Sequence, residues 1–225
     1  MKIAQVAPLY VSVPPADYGG TERVIGWLID ELAQRGHSLT LFSTADSRTS
    51  AELQAVCKQP LGIGRTRLSE LAHLMEVQEV SRLSHNFDVI HSHVEHWLYP
   101  LVGKAKVPIV STCHGPMGRP LMHEVHRQFP NAPLVSISFS QRTPLPEANW
   151  VANVYHGMPR DLFFPSFKKG QYLVFLGRLS PTKGVVEAIE IARRSSTNLK
   201  IAGNIQAVDQ DYFRHEIKTA ARQWC

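Results

Sequence analysis

Two histidines follow short apolar runs, at the points where buried strands of a sheet would end. The run Val89–His91 leads to His93, and the run Pro108–Thr112 leads to His114. Ligand sites of open α/β sheets lie at the carboxyl ends of their strands, so both side chains are expected to face one crevice. A neutral imidazole at such a place can donate or accept a hydrogen bond from a polar substrate.

The same stretch of sequence also allows a metal site. His91, His93 and His96, together with Glu95, superficially resemble the zinc-binding pattern of the metallo-β-lactamases, in which histidines hold zinc and an acid helps to activate water. That pattern expects aspartate where Glu95 stands, and it belongs to a fold of antiparallel strands. A zinc hydrolase is therefore kept as a remote alternative, and His91 and Glu95 are given no role.

Two other stretches have the composition of a diphosphate site. Gly19 and Gly20 precede a predicted helix, whose N-terminus offers unpaired N–H groups to an anion. Arg178 and Lys183 flank the loop between a predicted strand and the next helix, and a guanidinium can hold two phosphate oxygens at once. A Gly-Gly turn before a helix and a solvated basic loop are also common without any ligand, so both alternatives stay open.

One acidic pair has the spacing of a metal-binding motif. Asp209 and Asp211 have the Asp-x-Asp spacing found in some sugar transferases. They lie on or beside a predicted helix rather than in a short loop after a strand. We therefore expect them to be surface charge.

The elements that must position these residues alternate between strand and helix along the chain. This alternation predicts a parallel α/β sheet with helices on both faces. The predicted strands are Lys2–Ala7, Ser38–Ser43, Val89–His91, Pro108–Thr112, Leu134–Ser138 and Val151–Tyr155, and the predicted helices are Thr21–Arg35 and Leu68–Leu83.

A change of pattern at residues 156–170 predicts a linker between two domains. This segment contains prolines, glycines and a basic pair. Beyond it we predict strand Tyr172–Leu176, helix Gly184–Ser195, strand Leu199–Ala202 and helix Asp209–Arg222. The predicted domains are therefore residues 1–160 and 161–225. Two strands cannot bury their apolar faces alone, so the second domain is expected to be incomplete.

Composition excludes several classes of protein. The chain has 225 residues, of which 44% are hydrophobic and 19% charged, enough to bury a core. It contains no apolar run of transmembrane length, and its first residues suit a buried strand better than a signal peptide. Three cysteines without a CxxC pair favour the reducing cytoplasm. The net charge of +5 suits phosphates or lipid headgroups, but no dense basic block suggests nucleic acid.

Taken in order, the motifs resemble those of the family 4 glycosyltransferases, retaining enzymes with the GT-B fold. The resemblance runs along nearly the whole chain, through GGTERV, FDVIHSH, the TCHG strand end, YHGMPRDLF, LGRLSPTKG and LKIAGN. It implies an α/β fold of GT-B type, with a Rossmann-like N-terminal domain for the acceptor and a second, incomplete Rossmann-like domain for a nucleotide-sugar donor. It also implies that no metal or other cofactor is needed.

The resemblance further implies roles for single residues. His93 would be the catalytic-site histidine that hydrogen-bonds the donor at the reacting sugar, and His114 would line the acceptor side. The other implied contacts are with the donor, through Gly19, Gly20, Arg178 and Lys183 at the diphosphate and Gly203 at the nucleotide base. Cations are favourable there, because charge grows on the diphosphate as the glycosidic bond breaks.

One departure from the family affects the expected function. The family carries two glutamates, separated by seven residues, that hold the donor, and this sequence has no such pair. We expect a fragment of a bacterial retaining glycosyltransferase, with an inactive truncated binding module as the alternative. The donor base (UDP, GDP or ADP) and the acceptor (a carbohydrate, a lipid-linked sugar or a small molecule) stay open. The expected location is the cytoplasm, either free or peripherally bound to the inner face of the membrane.

Overall fold

A computed structural model describes residues 1–62 and 67–222 of the chain. The chain divides into two compact units, Met1–Leu162 and Phe163–Cys225. Within the described residues, no helix is both long enough and apolar enough to cross a membrane.

The first unit is built on a seven-stranded sheet in which all neighbouring strands are parallel. The strands are β1 (Lys2–Val6), β2 (Ser38–Thr44), β3 (Glu52–Cys57), β4 (Val89–Ser92), β5 (Ile109–Cys113), β6 (Leu134–Ser136) and β7 (Trp150–Asn153). Their order is β3-β2-β1-β4-β5-β6-β7, so the direction of winding reverses between β1 and β4. The carboxyl edge beside such a reversal is where open α/β sheets bind ligands.

Helices cover this sheet on both faces. They are α1 (Gly20–Gln34), α2 (Arg67–Leu83), α3 (Met122–Gln128) and α4 (Phe139–Arg142), with 3₁₀ segments at Ser84–Asn86 and Glu95–Leu101. Ile25 of α1 is buried in one cluster with Leu41 of β2, whereas Val80 of α2 is buried in another with Phe42. Because successive strand residues point to opposite faces, this alternation fixes which strand residues lie beneath α1.

The second unit has a parallel pair of strands, β8 (Leu173–Leu176) and β9 (Leu199–Ala202). Its helical segments are α5 (Val185–Arg194), α6 (Gln210–Tyr212), a π-helical segment Phe213–Ile217 and α7 (Lys218–Arg222), with 3₁₀ turns at Pro181–Lys183 and Ala207–Asp209. One small core holds the unit together, with Leu179, Val185, Ile189 and Ile217 buried.

The predicted fold class is confirmed, and most predicted elements lie within two residues of their observed bounds. β3 was not predicted from the sequence. This strand is paired on one side alone and is half-buried on both faces, so it lacks the apolar run or strict alternation that marks a strand in sequence. The last predicted helix is broken into short segments between Gln210 and Arg222.

Candidate functional site

The carboxyl edge of the first sheet gathers histidines from strands that are neighbours in space. β4 carries His91 and is followed by His93, whose N–H donates to the carbonyl of Val6 on β1. His114 follows β5, and His156 comes three residues after β7. The sheet topology therefore places imidazoles from three separate loops close together at the carboxyl edge of the sheet.

Three of these histidines form a continuous chain of hydrogen bonds that begins at a glutamine. His93 Nε2 lies 2.8 Å from Gln5 Oε1 on β1, and His93 Nδ1 lies 2.9 Å from His114 Nε2. His114 Nδ1 in turn lies 3.2 Å from His156 Nε2. We call Gln5, His93, His114 and His156 the imidazole chain. Gln5 and His93 are buried, His114 is half-buried and His156 is exposed, so the chain runs from the core to the surface.

Burial keeps these rings uncharged. Removal from water lowers the pKa of His93 well below its usual value, with smaller contributions from the neighbouring histidines. Burial also lowers the pKa of His114 to about 3 and, less strongly, the pKa of His156. At neutral pH each ring therefore carries one N–H group and one acceptor nitrogen.

His91 lies beside the imidazole chain without belonging to it. Its ring centroid is 4.1 Å from that of His93, and its Nε2 lies 2.7 Å from the Thr112 hydroxyl oxygen. Burial lowers the pKa of His91 to about 4. We predicted no role for His91 from the sequence. In the structure His91 is a neutral side chain packed against His93.

A pocket of about 890 Å³ lies next to the imidazole chain, entirely within the first unit. Trp27 and Glu31 of α1 line one side, residues 155–161 line another, and His91, His114 and His156 are among its polar surfaces. The lining thus offers both a flat apolar ring and hydrogen-bonding groups, which suits a polar organic ligand.

The structure brings His93 and His114 together, as the positions of their strands predicted. It also shows that both ring nitrogens of His93 are engaged and that its side chain is 2% exposed. Within the imidazole chain, the more accessible rings are His114 and His156. His93 also lines the pocket, but it is almost wholly covered, so it is placed to act on a ligand mainly through its neighbours.

The two glycines before α1 differ in their surroundings. A Cβ on Gly19, where φ is +156°, would lie 2.9 Å from side-chain atoms of Pro15 and Val11, so local packing alone requires glycine. A Cβ on Gly20 would meet no described atom within 4 Å. Space for a ligand therefore exists at Gly20, at the N-terminus of α1.

Two side chains of the second unit, Gln206 and Asp209, contact Arg178. Its Nη1 donates to Gln206 Oε1 at 3.0 Å, and its Nε lies 3.3 Å from Asp209 Oδ2. Asp209 was predicted to be surface charge, and this was wrong: the 3₁₀ turn Ala207–Asp209 buries its carboxylate beside the guanidinium. Asp211 is exposed, as expected.

Lys183 and Gly203 lie at the carboxyl ends of elements in the same unit. Lys183 is exposed at the end of the turn Pro181–Lys183, two residues before α5 begins, and makes no ion pair with any residue of the described ranges. A Cβ on Gly203 would lie 1.8 Å from the carbonyl oxygen of Gly177. Gly203 is therefore required for close packing just beyond β8 and β9, whatever its role towards a nucleotide.

The partners that orient the predicted residues were not predicted from the sequence. Gln5 did leave a signal, since it is the polar residue within an otherwise apolar run after Lys2. His156 was assigned to a linker. The sequence does not indicate that Gln206 and Asp209 are partners of Arg178, because their contact with Arg178 depends on the folded path of the chain.

The zinc alternative needs His91, His93 and His96 in one place. Among residues 1–62 and 67–222, no three His, Cys, Asp or Glu side chains are grouped so that they could hold a metal ion. His96 stacks on Trp97, with ring centroids 5.7 Å apart. These three histidines do not form a ligand set.

Several solved structures share this fold. A glycosyltransferase involved in avilamycin A biosynthesis matches 98% of this chain and 62% of its own, at 23% identity and a TM-score of 0.63. A glycosyltransferase from Rickettsia africae matches 99% and 65%, at 14% identity and a TM-score of 0.63. The catalytic domain of starch synthase IV from Arabidopsis thaliana, bound to ADP and acarbose, matches 99% and 71%, at 12% identity and a TM-score of 0.64.

These likenesses establish the predicted GT-B type of fold. The chain spans 62% and 65% of the first two of these structures. No curated protein matches it. The model of the family described as Glycosyltransferase Family 4 matches residues 18–163, which is more than half of the chain, and the chain therefore belongs to glycosyltransferase family 4.

Proposed function

We propose that this chain belongs to a retaining glycosyltransferase, which moves a sugar from a nucleotide-sugar donor to a hydroxyl of an acceptor. The observation that carries the proposal is the imidazole chain, which ends in an exposed histidine beside a pocket of about 890 Å³ with hydrogen-bonding groups in its lining. Family membership supports the class of reaction. In a retaining transfer the acceptor oxygen attacks from the face that the leaving group departs from.

In this proposal the histidines hold the hydroxyl groups of the reacting sugars. His114 and His156 make the direct contacts, because they are the accessible rings of the imidazole chain, and His93 holds His114 through their hydrogen bond. Uncharged imidazoles suit neutral hydroxyls, which can both donate and accept hydrogen bonds. Gly20 leaves the N-terminus of α1 open to a phosphate or an acceptor, with Gly19 shaping the turn before it.

Arg178 and Lys183 are proposed to neutralise the leaving diphosphate. Asp209 and Gln206 hold the guanidinium before any ligand binds, so little reorganisation is needed as charge develops. Since these two side chains supply the positive charge, we propose that transfer needs no metal. Gly203, just beyond β9, is proposed to lie near the nucleotide base.

The donor and acceptor are proposed by class. The related fold of starch synthase IV holds ADP and a sugar ligand, which supports a nucleoside diphosphate as the donor product here, with UDP, GDP and ADP all possible. The acceptor is a carbohydrate, a lipid-linked sugar or a small molecule. We propose a cytoplasmic location and, from the net charge of +5, a peripheral association with anionic membrane surfaces.

Calorimetric titration with UDP, GDP and ADP tests the diphosphate site. We expect one nucleotide to bind equally well with and without EDTA. Arg178→Ala should weaken binding by roughly 10-fold or more, since a charge-assisted hydrogen bond contributes about 1.5–3 kcal/mol. Arg193→Ala is the matched control, because Arg193 is exposed on α5 and pairs with Glu190. Equal affinities for Arg178→Ala and the wild type would remove Arg178 from the proposal.

Transfer itself is tested by following release of the nucleotide from the matching nucleotide-sugar in the presence of sugar acceptors. His114→Ala should abolish transfer while leaving nucleotide affinity within a few-fold of the wild type. Nucleotide binding without any transfer would favour the binding-module alternative.

A further inference from the structure

Gln5 is an unusual residue for its position. It lies one residue before the end of β1, fully buried beneath α1, between Ala4 and Val6, which are both 0% exposed. Its neighbours across the sheet are Leu41 on one side and His91 on the other. A buried amide is costly unless its polar atoms are bonded, so a glutamine here needs a reason.

The hydrogen bonds of Gln5 show what its amide does. Oε1 accepts from His93 at 2.8 Å, whereas Nε2 has no hydrogen-bond partner among the described residues. The donor group of the amide is thus left unused in the core. The glutamine is not explained by its own hydrogen bonding, but it does supply an acceptor directly beneath His93.

An acceptor at the buried end determines every later bond of the imidazole chain. A neutral imidazole has one N–H and one acceptor nitrogen, so a ring that donates at one nitrogen must accept at the other. With His93 donating from Nε2 to Gln5, its Nδ1 accepts from Nε2 of His114, and Nδ1 of His114 accepts from Nε2 of His156. The lowered pKa values of all three rings support their neutral state.

We propose that Gln5 is a positioning residue of the sugar site: its amide oxygen fixes the proton on Nε2 of His93, and thereby on Nε2 of His114 and His156. The outer end of the imidazole chain then presents Nδ1 of His156 as an acceptor. If a ligand displaces His156, it meets Nδ1 of His114, which is again an acceptor.

The direction of the hydrogen bonds along the imidazole chain favours one class of ligand. A sugar hydroxyl can donate its proton to an acceptor nitrogen, whereas a fully ionised phosphate oxygen has no proton to donate. The outer end of the chain therefore favours a neutral hydroxyl over an anion. This consequence rests on the proposed function, but the proton positions along the chain do not.

Nitrogen NMR of protein labelled with ¹⁵N-histidine tests the proposal without ligand and without any activity. The protonated and unprotonated nitrogens of a neutral imidazole resonate far apart, so each ring reports its own tautomer. In the wild-type protein at pH 7 we expect His93, His114 and His156 all to carry the proton on Nε2. Single His→Asn variants assign the signals.

Two substitutions at Gln5 distinguish the effect of its acceptor oxygen from the effect of filling the same space. Gln5→Glu keeps an oxygen below His93 and should preserve the tautomers, while the new carboxylate raises the pKa of His93 towards its usual range. Gln5→Met has a similar length but no acceptor, and should leave the three rings as a mixture of tautomers. Thr112→Val is the control, because it removes the bond to His91 and none within the chain.

Two results would overturn the proposal. One is a proton on Nδ1 of His114 or His156 in the wild-type protein. The other is an unchanged single tautomer in Gln5→Met. If Gln5→Met fails to fold, the wild-type spectrum and Gln5→Glu still decide. A protein that shows the expected tautomers but transfers no sugar would leave this proposal standing and contradict the proposed function.

Discussion

At the scale of the residue, burial sets the protonation of the site, and this couples folding to pH. The unfolded chain has histidines with pKa values of about 6.5, whereas folded His91 has a pKa of about 4. Below pH 6.5 the unfolded state binds a proton that the folded state does not. The free energy of unfolding therefore falls as the pH drops towards 4.

His91→Gln should remove this contribution. Between pH 6.5 and 4.5 the wild type should lose about 2 kcal/mol more than the variant, since one pKa unit corresponds to about 1.4 kcal/mol. Urea unfolding at several pH values measures the difference. His85→Gln, at an exposed position, should follow the wild-type slope. Parallel curves for the wild type and His91→Gln would contradict the prediction.

Glu76 has the opposite dependence on pH. It is 0% exposed on α2, and neither carboxylate oxygen has a hydrogen-bond partner among the described residues. Burial raises its pKa well above the usual value, so stability is lost as the pH rises above the unfolded value of about 4.5. Glu76→Gln should stabilise the protein more at pH 8 than at pH 5 in urea unfolding. Glu70→Gln, exposed on the same helix, should show no such difference.

At the scale of the element, the start of α1 separates a structural glycine from one that leaves room for a ligand. Gly19→Ala should destabilise the protein by about 1–3 kcal/mol, because its Cβ would press on Pro15 and Val11. Gly20→Ala places its Cβ in open space, and alanine favours a helix, so stability should be unchanged or slightly higher.

The same pair of variants tests the proposed anion contact at α1. If a donor phosphate approaches the backbone of Gly20, Gly20→Ala should weaken nucleotide binding while its melting temperature stays at or above that of the wild type. Calorimetric titration with the nucleotide that binds the wild-type protein measures the first quantity, and thermal unfolding the second. Unchanged affinity in a folded Gly20→Ala protein would place the phosphates elsewhere.

Helices and strands were predictable from sequence where one face, or both faces, of the element are buried. Contacts between elements that are distant in sequence were not predictable. β1, β2 and α1 carry clear apolar patterns, whereas the half-buried edge strand β3 does not. The meeting of His93 and His114 followed from strand ends alone. The bond from His93 to Gln5 could not be predicted, because it requires β4 to pair with β1, across 88 positions of sequence.

At the scale of the whole molecule, the two units differ in how much core they possess. Within residues 1–62 and 67–222, the first has seven strands and three buried apolar clusters, whereas the second has two strands and one such cluster. Val174, Leu176 and Val208 of the second unit are 61%, 82% and 82% exposed. Small units with little buried area have small free energies of unfolding, so the second unit should open more readily than the first.

Limited trypsin digestion tests this difference. Residues 155–172 lie between β7 and β8, are exposed and contain no helix or strand, so the first cuts should fall after Arg160, Lys168 or Lys169. A fragment containing the first unit should then persist, while the second unit is digested further. A variant with both Lys168→Gln and Lys169→Gln should delay the first cut without changing which fragment survives. Early cuts within residues 1–150 would show that the seven-stranded sheet is not the more stable part, because a protease cleaves where the chain opens most often.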